Sequence, residues 1–537
     1  MIERRLVGDG IRIASMIHVE TGACAESSVS GRSRARGLRP VKACAQRIAL
    51  LVLVGSPLSG CSNGSTTPDK AQIDEVDRRA AARIGQEFSA GLLLGGGTAR
   101  GEPAPTGPLT RGQAVSIALK GNLSLVASAE TLAVAQAQLV QAGLLQNPVI
   151  GQSSGLLFPV SPVQGRASFD VNISQQVNTL LTRPSKVAIA EVQRTQAGID
   201  LANQAFTLAM QVQSKYDELV HSRRSEVVAQ RVSDLYARAA TAAEARSKVG
   251  IVPQPEVNRA SLAAADAARQ QRHLHLQVDR AMRELNWLMG FRGAPQWTLP
   301  EELIAGHPAL AEIPEEEGLL ALGLRYRLDF ERSGFDMQLS EANVKLAKAN
   351  KFPQLSLGLE SAFDNAGNLV LGPFFSVALP IFDTGQTGVD LARAQQRQVE
   401  KVHAALAGQV LQDVRTALSN VQIAEEDVVF YRDRILPQQE QNVNLAQQAF
   451  SLGLSDLDSL LNILQGHATA LQSYEDAIGT HRAGIVSLQQ ATGLVVEMMT
   501  REVIDDALRE ESEQIQDEPP PPMTEEPIPK RFDAQRE

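Results

Sequence analysis

The position where residue types and spacing prescribe a reaction is Cys61. Leu58-Ser59-Gly60 sets small residues directly before its thiol, as signal cleavage requires. The other chemistry-bearing groups are arranged for no reaction. Cys24, Cys44 and Cys61 lie near the amino terminus, far from any ligand-like spacing with histidine, so neither a zinc site nor a disulfide scaffold follows. His273 and His275, the closest pair among eight histidines, would point about 200° apart on a helix. The carboxylates Glu425-Glu426-Asp427 fit helical charge patterning. There is no Walker loop, His-Glu-x-x-His pair or Gly-x-Ser-x-Gly elbow. The expectation is a protein that is not an enzyme and needs no cofactor or resident metal.

Cys61 is positioned by what precedes it. Arg32, Arg34, Arg36, Arg39, Lys42 and Arg47 form a basic stretch, followed by the apolar run Ile48-Ala49-Leu50-Leu51-Val52-Leu53-Val54. Residues 1–60 therefore form an export signal whose apolar part is too short to span a bilayer as a helix, and which ends in what looks like a bacterial lipobox. Ser62, where Asp would retain a lipoprotein at the inner membrane, resembles proteins forwarded to the outer membrane. The leader is long for this class, which points to a translation start nearer the basic cluster and leaves residues 1–35 ahead of it. Removing residues 1–60 leaves 42 basic against 57 acidic residues, a net charge of −15.

Composition narrows the class of partner. The whole chain, 537 residues with a net charge of −10, argues against a nucleic-acid or anionic-lipid surface as the main partner. Aromatics make up only 4%, too few for the girdles of one large single-chain porin, so any membrane barrel must be a minor part of the chain.

The elements that position these groups are written twice. Leu119, Leu123 and Pro148 recur as Leu324, Leu328 and Pro353 at an offset of 205, and Gly250 and Gly290 recur as Gly453 and Gly493 at 203. Such a constant register signals an internal duplication, with copies at 109–291 and 318–495. Residues 61–108, rich in Gly, Ser, Thr and Pro, form an extended lipidated linker. Pro295, Pro300, Pro308 and Pro314 mark 292–317 as an inter-repeat linker, and 496–537 is an acidic, Pro-rich disordered tail.

Each copy opens with a helix of about 35 residues (Thr110–Gln146; Glu316–Asn350) ending at an X-Pro. Two segments of period-two alternation follow. They are Val149–Gly155 and the run Phe169, Val171, Ile173 in the first copy, and Leu355, Leu357, Leu359 and Phe375, Val377, Leu379, Ile381 in the second. Long helices come next. Ser185–Lys248 alone would reach roughly 96 Å, and Val410, Val414, Ala417, Val421, Ala424 and Val428 make a coiled-coil seam. Leu201, Ala205, Leu208 and Val212 repeat that spacing in the first copy. Helices this long and narrow-seamed need neighbours that one chain does not supply, which implies an oligomer.

These features, with Leu144-Leu145-Gln146-Asn147-Pro148 and Leu379-Pro380-Ile381-Phe382-Asp383-Thr384-Gly385, resemble the TolC-like outer-membrane factors, in their lipoprotein branch. The resemblance covers about residues 109–495. It implies a mainly α fold with a small β part, in which a repeat of helix, strand pair and long helical hairpin builds a homotrimer. Each protomer would give four strands to a 12-stranded barrel in the outer membrane, continued by an α-helical tunnel in the periplasm. Polar inward residues such as Asp170, Asn172 and Ser174 would keep the lumen wet.

The function implied is the passive exit duct of a tripartite efflux or type I secretion system, lipid-anchored in the outer membrane. Its partners would be a periplasmic membrane-fusion adaptor and an inner-membrane pump. The adaptor would dock on the helix tips Val249, Gly250, Ile251 and Leu452, Gly453, Leu454. In the family, acids just past the second tip ring the tunnel entrance. The matching positions here are Ser459 and Asn462, with Asp456 and Asp458 close by; Asp456 and Asp458 also suit a helix N-cap and first turn. The competing class is a lipid-anchored periplasmic coiled-coil adaptor without a barrel, and the two strand pairs discriminate between them.

Overall fold

The computed structural model describes residues 65–95, 105–154, 169–305, 310, 313–363 and 369–517. The export signal, Cys61 and residues 518–537 lie outside these.

Helix α1 (Lys70–Ile84) starts at Asp69, whose carboxylate caps it by accepting the Gln72 N–H at 2.7 Å. Its apolar stripe Ile73, Val76, Ala80 and Ile84 packs into the main core, joined by Phe88 and by Leu93 of α2 (Ala90–Leu94). Strand β1 (Thr106–Pro108) leads to a capping box, Thr110 with Gln113, that opens α3 (Arg111–Gly121). There follow α4 (Leu123–Gly143), strands β2 (Val149–Ser154) and β3 (Phe169–Gln176), α5 (Asn178–Lys248) and the return helix α6 (Gln254–Leu288). Helix α5 runs 71 residues without interruption, about 105 Å.

Strand β4 (Gln296–Thr298) and α7 (Glu301–Ala305) connect to the second copy: α8 (Glu316–Tyr326), α9 (Leu328–Ala349), β5 (Leu355–Phe363), β6 (Leu369–Val377) and α10 (Gln386–Phe430). A π turn (Tyr431–Ile435) joins α10 to α11 (Leu436–Leu452). Helix α12 (Leu457–Thr492) then returns and, after a 3-10 turn (Val496–Met498), the chain ends its described part in α13 (Arg501–Asp517). Pro437 explains the π turn: it has no N–H for the Asp433 carbonyl and its ring would strike it, so the backbone widens there.

Both seams are buried. Val414 and Val421 are fully enclosed in a core shared by α8, α10 and α12, Val410 is fully buried beside Gly323 of α8, and Leu201, Ala205 and Val212 lie within the main core.

Several expectations are corrected. The two 35-residue helices are each broken, at Asn122 and Arg327, whose backbones are extended at φ −73°, ψ 116° and φ −68°, ψ 117°. Packing is the cause. A Cβ on Gly121 would lie 2.9 Å from the Met289 carbonyl oxygen, and one on Gly493 would lie 2.7 Å from the Tyr326 carbonyl oxygen. The chain bends where its backbone touches the root of the long hairpin. At the first break the Asn122 side chain accepts from Ser124 and Leu125 N–H and donates to the Leu288 carbonyl, capping one helix while bonding another.

Residues 65–95 of the expected extended linker are mostly helix, because the stripe on α1 finds a core to enter. The inter-repeat linker holds β4, which pairs in parallel with β1 and buries Trp297. Its indole N–H donates to Asn286 at 3.2 Å. Residues 501–517 of the expected disordered tail are helical, since Val503, Ile504 and Ala507 form a stripe that α8 covers. Finally, β6 stops at Val377, so Leu379 and Ile381 lie beyond the strand.

Candidate functional site

Strands β2, β3, β5 and β6 form one antiparallel sheet in that order, so the two copies meet between β3 and β5. Cross-strand partners share a face. One face carries Ile150 opposite Ile173, Ile173 opposite Leu359, Leu357 opposite Phe375, and Ser361 opposite Leu371. Its apolar side chains are left open: Ile150 is 71% exposed, Phe375 74% and Leu359 53%. The other face carries Asn172, Ser174, Gln176, Ser356, Glu360 and Ser376 together with Val149, Val370 and Phe374, with Gly151 opposite Asn172 and Gly358 opposite Ser174. Strands of up to 9 residues are about 30 Å long, the reach of a bilayer core. The outer edges, on β2 and β6, have no partner strand among the described residues. A sheet that is mainly apolar on one face, more polar on the other and unpaired at both edges among the described residues suits a segment of a larger wall between lipid and water.

At the far ends of the long helices the two copies turn alike. Gly250 and Gly453 each take φ 77°, where the left-handed backbone favours glycine. At the first turn the Ile251 N–H donates to the Arg246 carbonyl at 3.0 Å, and at the second the Leu454 N–H donates to the Ala449 carbonyl at 2.9 Å. These bonds close the helix ends and turn Val249, Ile251, Leu452 and Leu454 outward, the last 79% exposed. Beneath them a separate core of Ala243, Val252, Val257, Phe450, Leu457, Leu460 and Leu464 joins the two hairpins.

The acids near the second tip are already engaged. Asp456 is the N-cap of α12, accepting the Ser459 N–H at 2.8 Å, and Asp458 forms an ion pair with Arg259 of α6. Ser459 and Asn462 are exposed, on the face of α12 away from the tip core. Arg246 donates to the Phe450 carbonyl at 2.6 Å with its guanidinium 4.5 Å from that ring's centroid. Arg246 and Arg259 escape sequence reading, because nothing local announces a partner some 200 positions away. Cys61 lies outside the described residues. His275 stands by Glu226 at 2.8 Å, and among the described residues no cluster could hold a metal ion.

The family model described as outer membrane efflux protein matches residues 321–494. The cobalt-zinc-cadmium resistance protein CzcC of Cupriavidus metallidurans is 23% identical over 370 residues, 68% of this chain and 85% of that one. Among solved structures, CusC superposes with a TM-score of 0.59 at 16% identity, over 74% of this chain and all of that one. The open-state MtrE outer membrane channel of Neisseria gonorrhoeae gives 0.55 at 17% identity, over 72% and 89%. The helical body and the strand quartet have the fold of these outer-membrane channel structures, and the family model falls on the second copy of the repeat.

Proposed function

We infer that the chain is the outer-membrane channel component of a tripartite efflux system, a passive duct across the outer membrane and periplasm. The observation that carries this is the two-faced strand quartet with both edges unpaired. In lipid every backbone polar group needs a partner, and three copies joined β2 to β6 would close twelve strands with no edge left. The apolar face would then meet lipid and the Asn172–Ser174 face the lumen, while the helices carry the duct inward. A barrel-less adaptor has no use for such a sheet.

Three finer assignments belong to this proposal. Cys61 carries the lipid anchor. The exposed apolar tips Val249, Ile251, Leu452 and Leu454 receive the hairpins of a membrane-fusion adaptor, which an inner-membrane pump joins. Asp456 and Asp458, with Ser459 and Asn462, stand where the tunnel narrows. The resistance named for CzcC makes divalent cations the first cargo to test.

The decisive experiment is planar-bilayer conductance of the detergent-purified protein together with its mass in solution. A trimer with stable conducting events is expected, and a monomer without channel activity overturns the reading. At the entrance, Asp456→Ser with Asp458→Asn removes both charges while keeping a side chain that can cap α12. Altered cation selectivity is expected, and unchanged selectivity removes these acids from the gate.

A further inference from the structure

A cavity of about 520 Å3 lies between α5, α12 and the 3-10 turn that follows α12. Its wall contains polar groups that the fold leaves unanswered. Gln489 is 1% exposed, yet neither its amide nitrogen nor its amide oxygen has a partner. His481, also buried, leaves Nε2 without one. Burial pushes the His481 imidazole down. Arg482 lines the same space and makes no hydrogen bond or ion pair with any described residue.

The other charges there are committed. Arg111 bonds Glu497 at 2.9 Å and stands 3.7 Å from Asp217, so one guanidinium serves both acids of the wall. Burial pushes the Asp217 carboxyl up, against the pull of Arg111 and Arg482. The rest of the wall is apolar: Tyr216, whose hydroxyl is turned away to donate to the Leu109 carbonyl, with Val220, Leu303 and Ile485.

We propose that this cavity binds a small organic carboxylate, its oxygens on the Arg482 guanidinium and the Gln489 amide and its apolar body against Tyr216, Leu303 and Ile485. One negative charge suits the site better than two, because Asp217 and Glu497 remain nearby, and a cation would face Arg111 and Arg482 together. A buried amide without a partner and a guanidinium without a hydrogen bond, balanced only at longer range by Asp217 and Glu475, are costly to maintain, and an anion that bonds both recovers that cost. The volume lies in the range of small-molecule sites. The inference does not rest on the channel reading, since the cavity is within one chain.

The test is isothermal titration of the full-length protein in a neutral detergent with benzoate and hexanoate, against benzyl alcohol as the uncharged counterpart of benzoate. At least one carboxylate should bind with one site per chain, and benzyl alcohol about tenfold more weakly than benzoate. Arg482→Met should weaken carboxylate binding about tenfold while Arg482→Lys keeps most of it. Thermal melting of each variant establishes that it is folded, and Gln489→Leu, which removes the unpaired amide without touching a charge, gives a second reading of the site. Failure of both carboxylates to bind at millimolar concentration overturns the proposal. So do equal affinity for benzyl alcohol and carboxylate affinity unchanged in Arg482→Met; either means water or detergent fills the space.

Discussion

The body of the molecule and its tips use the same two devices in opposite surroundings. Each has a pair of glycines at positive φ, Gly290 and Gly493 in the body and Gly250 and Gly453 at the tips, and each has an arginine–carboxylate pair joining the two copies. In the body Arg224 holds Glu475 through two bonds of 2.6 and 3.0 Å, with both side chains about 6–7% exposed. At the tips Arg259 and Asp458 are 56% and 52% exposed. The body glycines press on backbone, whereas no atom comes within 4 Å of a Cβ built on Gly250, and on Gly453 only the flexible end of Arg246 does, at 3.6 Å. Identical local chemistry therefore fastens one region and leaves the other free to rearrange, because burial decides what a turn or an ion pair is worth.

Five substitutions test this contrast. Arg224→Met strands the Glu475 carboxylate in the core and should cost about 4 kcal/mol in denaturant unfolding, while Arg224→Met with Glu475→Leu should recover most of the loss. If the single variant is as stable as wild type, the pair is not what joins the copies. Gly493→Ala combines a left-handed backbone with a clash against Tyr326 and should cost about 3 kcal/mol. Gly453→Ala, with the same φ but open space, should cost about 1 kcal/mol. Equal melting shifts in these two would show that conformation alone, not packing, sets the cost. Asp458→Asn should cost under about 1 kcal/mol, an effect that high salt erases. A larger or salt-resistant loss would show that the tips are locked like the body.

The fold was legible wherever the pattern is local. The alternation in Val171 and Ile173, the seam from Val410 to Val428 and the turns at Gly250 and Gly453 each depend on neighbours within a few positions. The stripe on α1 was equally local but lay in a segment whose Gly, Ser and Pro content suggested a linker. The acids past Gly453 were legible as acids. Whether Asp458 stands free was not, because Arg259 reaches it from another helix.

The sequence by itself determined the duplication, the strand alternation and the places where the chain reverses, since periodicity and glycine act over short spans. Tertiary structure alone decided the breaks at Asn122 and Arg327, the joining of β3 to β5 and the unanswered polar cavity around Arg482. Each of these is a contact between residues far apart in the chain. Its energy comes from backbone approach, burial or an absent partner, none of which is written into either segment alone.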